Sequence, residues 1–286
     1  MDEKIIRLIE NYGKSNQRSD DWHRTRSNLL TASEIHKAKS TATSAARREL
    51  IMSKLITKIC NSGGIQSLEW GTQFEEIAKE LFQKHNQIEI KDLACVIHPQ
   101  HTFLGASPDG LILSTTSSKH GRLIEIKCPI TREVLQDSPI PESYYDQIQL
   151  QLACTELDEC EYVEYQFKKH TFTEWMNLEF IKSCFAINNK SRQVIYKTLD
   201  DERSVQKWLK SFIEDIFDWE IIYWSFNRKK ELLIKKDNEW FDENLPSFKQ
   251  VWEEVLEHRK NGTFPPEKTM ILNLDVTLNI NENTLS

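Results

Sequence analysis

The sequence predicts an α/β fold in which a mixed central sheet is flanked by helices and followed by a C-terminal hairpin and helix extension. Three observations carry this expectation. An apolar stripe at helical spacing, Phe74, Ile77, Ala78, Leu81 and Phe82, precedes a strand-like stretch from Ile88 to Lys127. A helical pattern resumes from Glu142 to Leu157, with Ile148, Leu152 and Cys154 apolar, and a further strand-like run follows from Glu161 to Lys168. Helix, three strands, helix, strand is the order of a sheet covered by helices.

Taken in order, residues 3–12 read as a short amphipathic helix. A second helix starts near Thr31, which can cap Ala32 to Lys39 with Glu34 three residues on as a capping box. The Ser/Thr/Ala-rich stretch Ser40 to Ala46 reads as a mobile loop before a helix over about 46–60. Strands are expected over about 88–98, over 103–114 around a turn or bulge at Pro108-Asp109-Gly110, and over 122–127, as adjacent antiparallel neighbours. Beyond residue 170 the expectations are a strand at Val194 to Leu199, a helix at Glu202 to Phe217, and a hairpin of Glu220 to Phe226 with Glu231 to Lys236 across Asn227 to Lys230. A last helix, capped near Asn244 with Pro246 in its first turn, carries the stripe Phe248, Val251, Trp252, Val255 and Leu256 and ends before Gly262. The residues from about Leu272 read as a frayed tail. Two units are expected: residues 1–200 with a basic N-terminal helical region, and an extension over 201–286 packed on them.

Composition narrows the class. At 286 residues and 39% apolar content, the chain can bury one sizeable core and a smaller appended unit. No run of about 18 apolar residues is present, and Met1 to Glu10 alternates charges with Ile and Leu, unlike a signal peptide. The expectation is a soluble intracellular protein of cytoplasm or nucleus, neither secreted nor membrane-spanning. Cys60, Cys95, Cys128, Cys154, Cys160 and Cys184 form no C-x-x-C pair, which argues against a zinc cage or a disulfide framework and for reduced, mostly buried thiols. The net charge of −7 opposes a nucleic-acid partner only on average. Between Lys14 and Lys58 ten basic residues face four acidic ones, a net +6 that leaves −13 to the remainder. A basic N-terminal face on an acidic body is compatible with DNA, although many solvated helices share that texture.

The chemistry is concentrated in three residues. Asp109 and Glu125 fall on neighbouring expected strands, and Lys127, two residues after Glu125, points to the same face of its strand. Two carboxylates can hold a hard cation such as Mg²⁺, and an ammonium can position or activate a water and offset charge as a phosphodiester is attacked. Ile126 offers its backbone carbonyl as a further ligand while its side chain packs on the apolar face. Glu-x-Lys alone is also a common surface strand pair, and it becomes specific only in company with further segments.

Those segments are present in order: Asp21-Trp22-His23, Arg26 and Thr31-Ala32-Ser33-Glu34-Ile35-His36; Trp70-Gly71-Thr72-Gln73-Phe74-Glu75; Ser107-Pro108-Asp109-Gly110; Glu125-Ile126-Lys127-Cys128-Pro129; and Gln147-Ile148-Gln149. Together they resemble the lambda-exonuclease (YqaJ-type viral recombinase) family of the PD-(D/E)XK nuclease superfamily over about residues 20–170. The resemblance implies a restriction-endonuclease-like core. It also implies that Asp109 and Glu125 bind catalytic Mg²⁺, with Mn²⁺ as a substitute, and that Lys127 activates water. Glu75 would assist at the metal centre, around a second of two ions, and Gln147 would border the site. Arg26, Ser33 and Ser107 match residues that bind the phosphate at a 5′ end, a role that suits a guanidinium fork and hydroxyls. The plainer alternatives are a salt bridge from Arg26 to Asp20 or Asp21, a turn role for Ser107, and solvated helix positions for Glu75 and Gln147. Trp22 and Trp70 are expected in the core, and His23 and His36 lack metal-ligand spacing and read as structural.

The resemblance further implies digestion of one strand of linear duplex DNA from the 5′ end, release of 5′-mononucleotides, and a 3′ single strand left for recombination or repair. It implies a ring-shaped homotrimer and a single-strand annealing protein as partner. Two departures bear on the ring: the lengthened connection Ser114 to Gly121, and the long segment after His170. The texture of that segment resembles homologues from large DNA viruses. Two rival functions stand beside the exonuclease. One is a structure-specific endonuclease using Asp109, Glu125 and Lys127, against which the end-binding set Arg26 and Ser33 argues. The other is a catalytically silent DNA-binding protein, against which the complete Asp, Glu, Lys set argues.

Overall fold

A computed structural model of the chain describes residues 3–14, 17, 19–56, 66–212 and 218–266. Cys60, the end of the helix expected over 46–60, the last residues of the helix expected over 202–217 and the tail from about residue 272 lie outside the described residues.

The elements in chain order are α1 (Glu3–Tyr12), α2 (Asp20–Ser27), β1 (Leu30–Thr31), a 3₁₀ segment (Ala32–Ala38), α3 (Ser44–Leu55) and α4 (Gln66–Asn86). There follow β2 (Glu89–Lys91), β3 (Val96–Ile97), β4 (Leu104–Ala106), β5 (Gly110–Leu113) and β6 (Leu123–Lys127). After these come α5 (Glu142–Thr155), β7 (Glu159–His170), α6 (Phe172–Met176), β8 (Lys182–Asn188), β9 (Val194–Tyr196), α7 (Val205–Leu209), β10 (Trp219–Lys235) and α8 (Asn238–Asn261). The main sheet has the order β2-β5-β6-β7-β10-β8-β9, and a small one the order β1-β4-β3. In the main sheet only β6 and β7 run parallel, joined through α5 as a parallel pair requires. The sheet is therefore mixed and helix-flanked, as expected.

Strand alternation divides the interior in two. Leu123 on β6, with Leu111 and Tyr162, packs beneath Ile148 and Leu152 of α5, whereas Ile124 and Ile126 face Phe74, Ile77 and Phe82 of α4. Phe74, Ala78 and Phe82 are wholly inaccessible to solvent. At about 1.5–3 kcal/mol for each large apolar side chain buried, this stripe outweighs the cost of about 1 kcal/mol that Gly71 imposes within α4. The α5 side of β6 is where Glu125 and Lys127 emerge.

Several expectations are corrected. The stretch 88–98 is not one strand but β2 and β3, which belong to different sheets, and 103–114 likewise divides into β4 and β5. The chain changes sheets at Pro108, whose ring cannot donate to a ladder. Gly110 follows because a Cβ there would collide with the side chain of Ile90 on β2. The segment Ser40 to Ala46 is partly helical, since Thr43 caps α3 by accepting from the Ala46 N–H at 3.2 Å. The hairpin expected across Asn227 to Lys230 is instead the single strand β10, paired along β7 with a register shift between Phe226 and Arg228. Its polar run is tolerated because Lys230 donates to Ser138 and Lys229 to Glu231. Residues after 200 thus supply an interior strand to the sheet. Finally, α8 begins at Asn238, capped by Asp237 accepting from the Trp240 N–H at 3.0 Å, so Pro246 lies inside it. The missing bond costs about 3 kcal/mol, less than the burial of Trp240, Phe248, Val251 and Val255 contributes.

Candidate active site

Asp109 sits one residue before β5, at the end of the sheet where β6 finishes. The pairing of Gly110 with Ile124 sets Asp109 opposite Glu125 when continued by one residue, and cross-strand partners share a face. The Asp109 Oδ2 accepts the Ile126 N–H at 2.7 Å. In an extended strand the N–H and C=O of one residue point to the same side, so the Ile126 carbonyl is directed to the side that Asp109 occupies.

Glu125 is 1% exposed, and three side-chain donors engage its two oxygens. Its Oε1 accepts from Lys127 Nζ at 2.5 Å and from Gln147 Nε2 at 2.7 Å, and its Oε2 accepts from Gln151 Nε2 at 2.6 Å. Lys127 Nζ also donates to Gln147 Oε1 at 3.2 Å and lies 4.7 Å from the centre of the Tyr144 ring. Gln147 and Gln151 lie four residues apart on α5, hence one above the other on the helix face turned to β6.

The electrostatics follow from this crowding. Burial raises the Asp109 carboxyl well above the usual carboxylate range, and the charges of Glu125 and Glu75 raise it further, against a smaller opposing effect of Lys127 and the Ile126 N–H. Burial alone would make Lys127 a weaker base, but Glu125 and Asp109 outweigh it and the ammonium is held more firmly than usual. Glu75 thus stands near enough on α4 to act on Asp109. Among the described residues no three His, Cys, Asp or Glu side chains form a metal cage by themselves. The donors that fit a hard cation here are the Asp109 and Glu125 carboxylates with the Ile126 carbonyl, all oxygen, with Glu75 beside them. Like-charged carboxylates crowded out of water are what a divalent cation would relieve.

A second cluster surrounds Arg26. Its Nη1 donates to Ser107 Oγ at 3.3 Å, and its Nη2 to Ser33 Oγ at 2.8 Å and Thr31 Oγ1 at 3.3 Å. All three acceptors are neutral hydroxyls, so the side chain is spent on neither Asp20 nor Asp21. Burial lowers the basicity of Arg26, partly offset by Cys95, Glu34 and Glu125. Trp22 corrects an expectation: it is only half-buried, lies 4.4 Å beneath the guanidinium, and donates its Nε1–H to Ser107 Oγ at 3.0 Å. Trp70, by contrast, is in the core. The Thr31 and Glu34 capping box forms as expected, with Glu34 Oε1 accepting the Thr31 N–H at 2.9 Å and also pairing with Lys54. A cleft of about 850 Å³, lined by Arg24, Arg26, Thr31, Glu34, Lys54 and Arg259, opens from this cluster.

The structure therefore brings Asp109, Glu125, Lys127, Gln147 and Glu75 into one group, and Arg26, Ser33 and Ser107 into another. His23 and His36 join neither. Gln151 was missed by sequence reasoning, although a second glutamine at i+4 from Gln147 in an apolar helix was a signal for it. The five described cysteines are free and buried, as expected. No helix among the described residues is long and apolar enough to cross a membrane.

Residues 21–158, which contain both clusters, match the YqaJ-like viral recombinase domain. An uncharacterised protein of Acanthamoeba polyphaga mimivirus is 25% identical over 309 residues, covering 89% of this chain and 55% of that protein. The chain thus spans about half the length of the curated relative it matches. An alkaline exonuclease from Laribacter hongkongensis (LHK-Exo) has a similar fold, with a TM-score of 0.52 at 20% identity over 85% of this chain and 95% of that one. Its complex with dAMP aligns over the same shares with a TM-score of 0.53 at 21% identity. The mixed, helix-flanked sheet is thus similar in fold to that alkaline exonuclease.

Proposed function

We propose that this chain, which belongs to the YqaJ-like viral recombinase family through residues 21–158, is a metal-dependent DNA exonuclease. It hydrolyses one strand of linear duplex from its 5′ end, releases 5′-mononucleotides and leaves a 3′ single strand for recombination or repair. The observation that carries the reading is the convergence of Asp109, Glu125 and Lys127 on one face at the end of β6. Three ionisable groups so placed would be expensive to desolvate without a chemical purpose.

Asp109, Glu125 and the Ile126 carbonyl would hold Mg²⁺, or Mn²⁺ in its place, and Glu75 would serve a second ion. The metal, when bound, supplies a Lewis acid for the phosphoryl oxygens. The protein does the rest by position. Gln147 and Gln151 fix both oxygens of Glu125, so the carboxylate cannot rotate away. Lys127 stays protonated beside Glu125 and Asp109, which suits it to orient the attacking water and to offset charge developing on the phosphate. The half-buried Tyr144 ring shields one side of that ammonium.

End recognition is assigned to Arg26, Ser33 and Ser107, and the contacts of Arg26 with Thr31 and Trp22 support including those two. A guanidinium whose hydrogen bonds among the described residues go to neutral hydroxyls keeps its charge uncompensated for a phosphate monoester, which supports an end-dependent enzyme over a structure-specific endonuclease with the same centre. The reading extends to an assembly, a homotrimer acting with a single-strand annealing protein. The test is digestion of end-labelled linear duplex with Mg²⁺, reading polarity and product size, with 5′-phosphate, 5′-hydroxyl and covalently closed circular DNA compared. Nicking of closed circles as fast as linear digestion would overturn the end-dependent reading.

A further inference from the structure

One row of side chains beside the site remains without a role. The register sets Glu164 of β7 next to Lys127 of β6, and Lys230 of β10 next to Glu164, all on the α5 face of the sheet. Glu164 and Lys230 are both wholly buried. Over them runs the segment 128–141 that joins β6 to α5, and it is pinned twice. Arg132 Nη1 and Nη2 donate to the two oxygens of Glu164 at 2.8 and 2.6 Å, and Lys230 Nζ donates to Ser138 Oγ at 3.0 Å. Tyr162 also donates its hydroxyl to Glu164.

A bidentate clamp on a buried carboxylate fixes the plane and direction of a guanidinium. Two of the five N–H donors of Arg132 are used on Glu164, and among the described residues no other acceptor engages the remaining three. The side chain is still 35% exposed while its partner is 0% exposed. Adjacent strands lie about 4.8 Å apart, so the clamp stands one strand away from Lys127. Were Arg132 there only to neutralise Glu164, no donor face need be left open beside the site, since Tyr162 and Lys230 already serve that carboxylate.

We propose that Arg132 is a phosphate-binding residue of this site, held by Glu164 so that its open donors take a backbone phosphate of the strand being cut, next to the linkage at Asp109 and Glu125. The assignment rests on the nuclease reading above and adds to it a residue that none of the five sequence blocks contains. Glu164 is the positioning residue, acting through Arg132.

The test measures duplex binding in an Asp109→Asn background as KCl is raised, alone and with Arg132→Gln, Arg132→Lys, or the pair Arg132→Gln and Glu164→Gln. Removing Arg132 alone leaves a buried carboxylate short of its partner, whereas the paired change removes both charges and leaves the net charge unaltered. Arg132→Gln and the paired variant are expected to lower affinity on the order of tenfold. They should make the slope of log K against log [KCl] shallower by about 0.9, the value for one lost phosphate contact. Arg132→Lys keeps the slope but binds more weakly. An unchanged slope in the paired variant, with the fold intact by thermal melting, overturns the assignment. Failure of the parent chain to release nucleotides from linear DNA with Mg²⁺ would instead overturn the nuclease reading, so the two failures are distinguishable.

Discussion

Gln151 Nε2 lies 2.6 Å from Oε2 of Glu125, on the opposite oxygen from the one shared by Lys127 and Gln147. The carboxylate is thus held from both ends by one helix and by its own strand. Such outer partners set the orientation of a ligand and typically change metal affinity 10–100-fold when removed. Gln151→Ala is expected to raise the Mg²⁺ concentration for half-maximal nucleotide release by about tenfold or more. A Mg²⁺ titration of activity checks this, and coincident curves for the two proteins would remove Gln151 from the site.

Asp109→Asn and Lys127→Ala are each expected to abolish Mg²⁺-dependent nucleotide release; full activity in either would reject the site. Asp109→Asn carries a second, opposite expectation for stability. The folded carboxyl is raised above its ordinary value by burial and by Glu125 and Glu75, so its contribution is favourable at low pH and is lost as pH rises through the folded value. At neutral pH without metal the neutral amide should therefore raise Tm, by about 2–4 °C for each kcal/mol of repulsion relieved. Melting in EDTA checks this, and a lower Tm for the variant would contradict it.

Arg26→Ala should act selectively. Hydrogen bonds to a charged group contribute about 1.5–3 kcal/mol, so the preference for 5′-phosphorylated over 5′-hydroxyl ends should fall by roughly 10- to 100-fold. Rates on the two substrates, measured side by side, decide the point. Equal slowing on both would assign Arg26 a structural role.

His98 gives a pH prediction apart from the site. It is buried, its Nδ1 accepts the N–H groups of Gln100 and His101 at 3.1 and 3.2 Å, and Phe241 stacks on it at 5.1 Å. Burial, with a smaller effect of His101 and Lys236, pulls its pKa down to about 4. The unfolded chain binds this proton near pH 6.5 and the folded one does not, so stability is fully present above about pH 6.5 and is lost as pH falls toward 4, by up to about 3 kcal/mol. The urea midpoint should drop between pH 7 and pH 5 in the parent and less in His98→Asn. Equal drops would discount His98.

How much of this was legible can be judged element by element. The stripe of α4, the strand 123–127 and the helix 142–155 were visible because each writes its own period into the chain. The polar run Asn227 to Lys230 reads as a turn because the partners of Lys230, Ser138 and the neighbouring-strand Glu164, are supplied by folding and leave no local mark. Pro246 reads as a helix start for the same reason, since the core that carries α8 past it is assembled from distant residues. Among the functional groups, Asp109, Glu125 and Lys127 were named by residue type and spacing, whereas Gln151 and Arg132 gained meaning only from what they touch.

The amino-acid order alone determined the helix and strand periods, the shared face of Glu125 and Lys127, and the residue types suited to a cation and a phosphate, because these depend on neighbours within a few positions. Only the tertiary structure decided that Asp109 meets Ile126 from another strand, that Ser33 and Ser107 close on Arg26, and that β10 lies inside the sheet. Those contacts join positions far apart in the chain, and their free energy comes from burial and pairing in the assembled core, which no local period encodes.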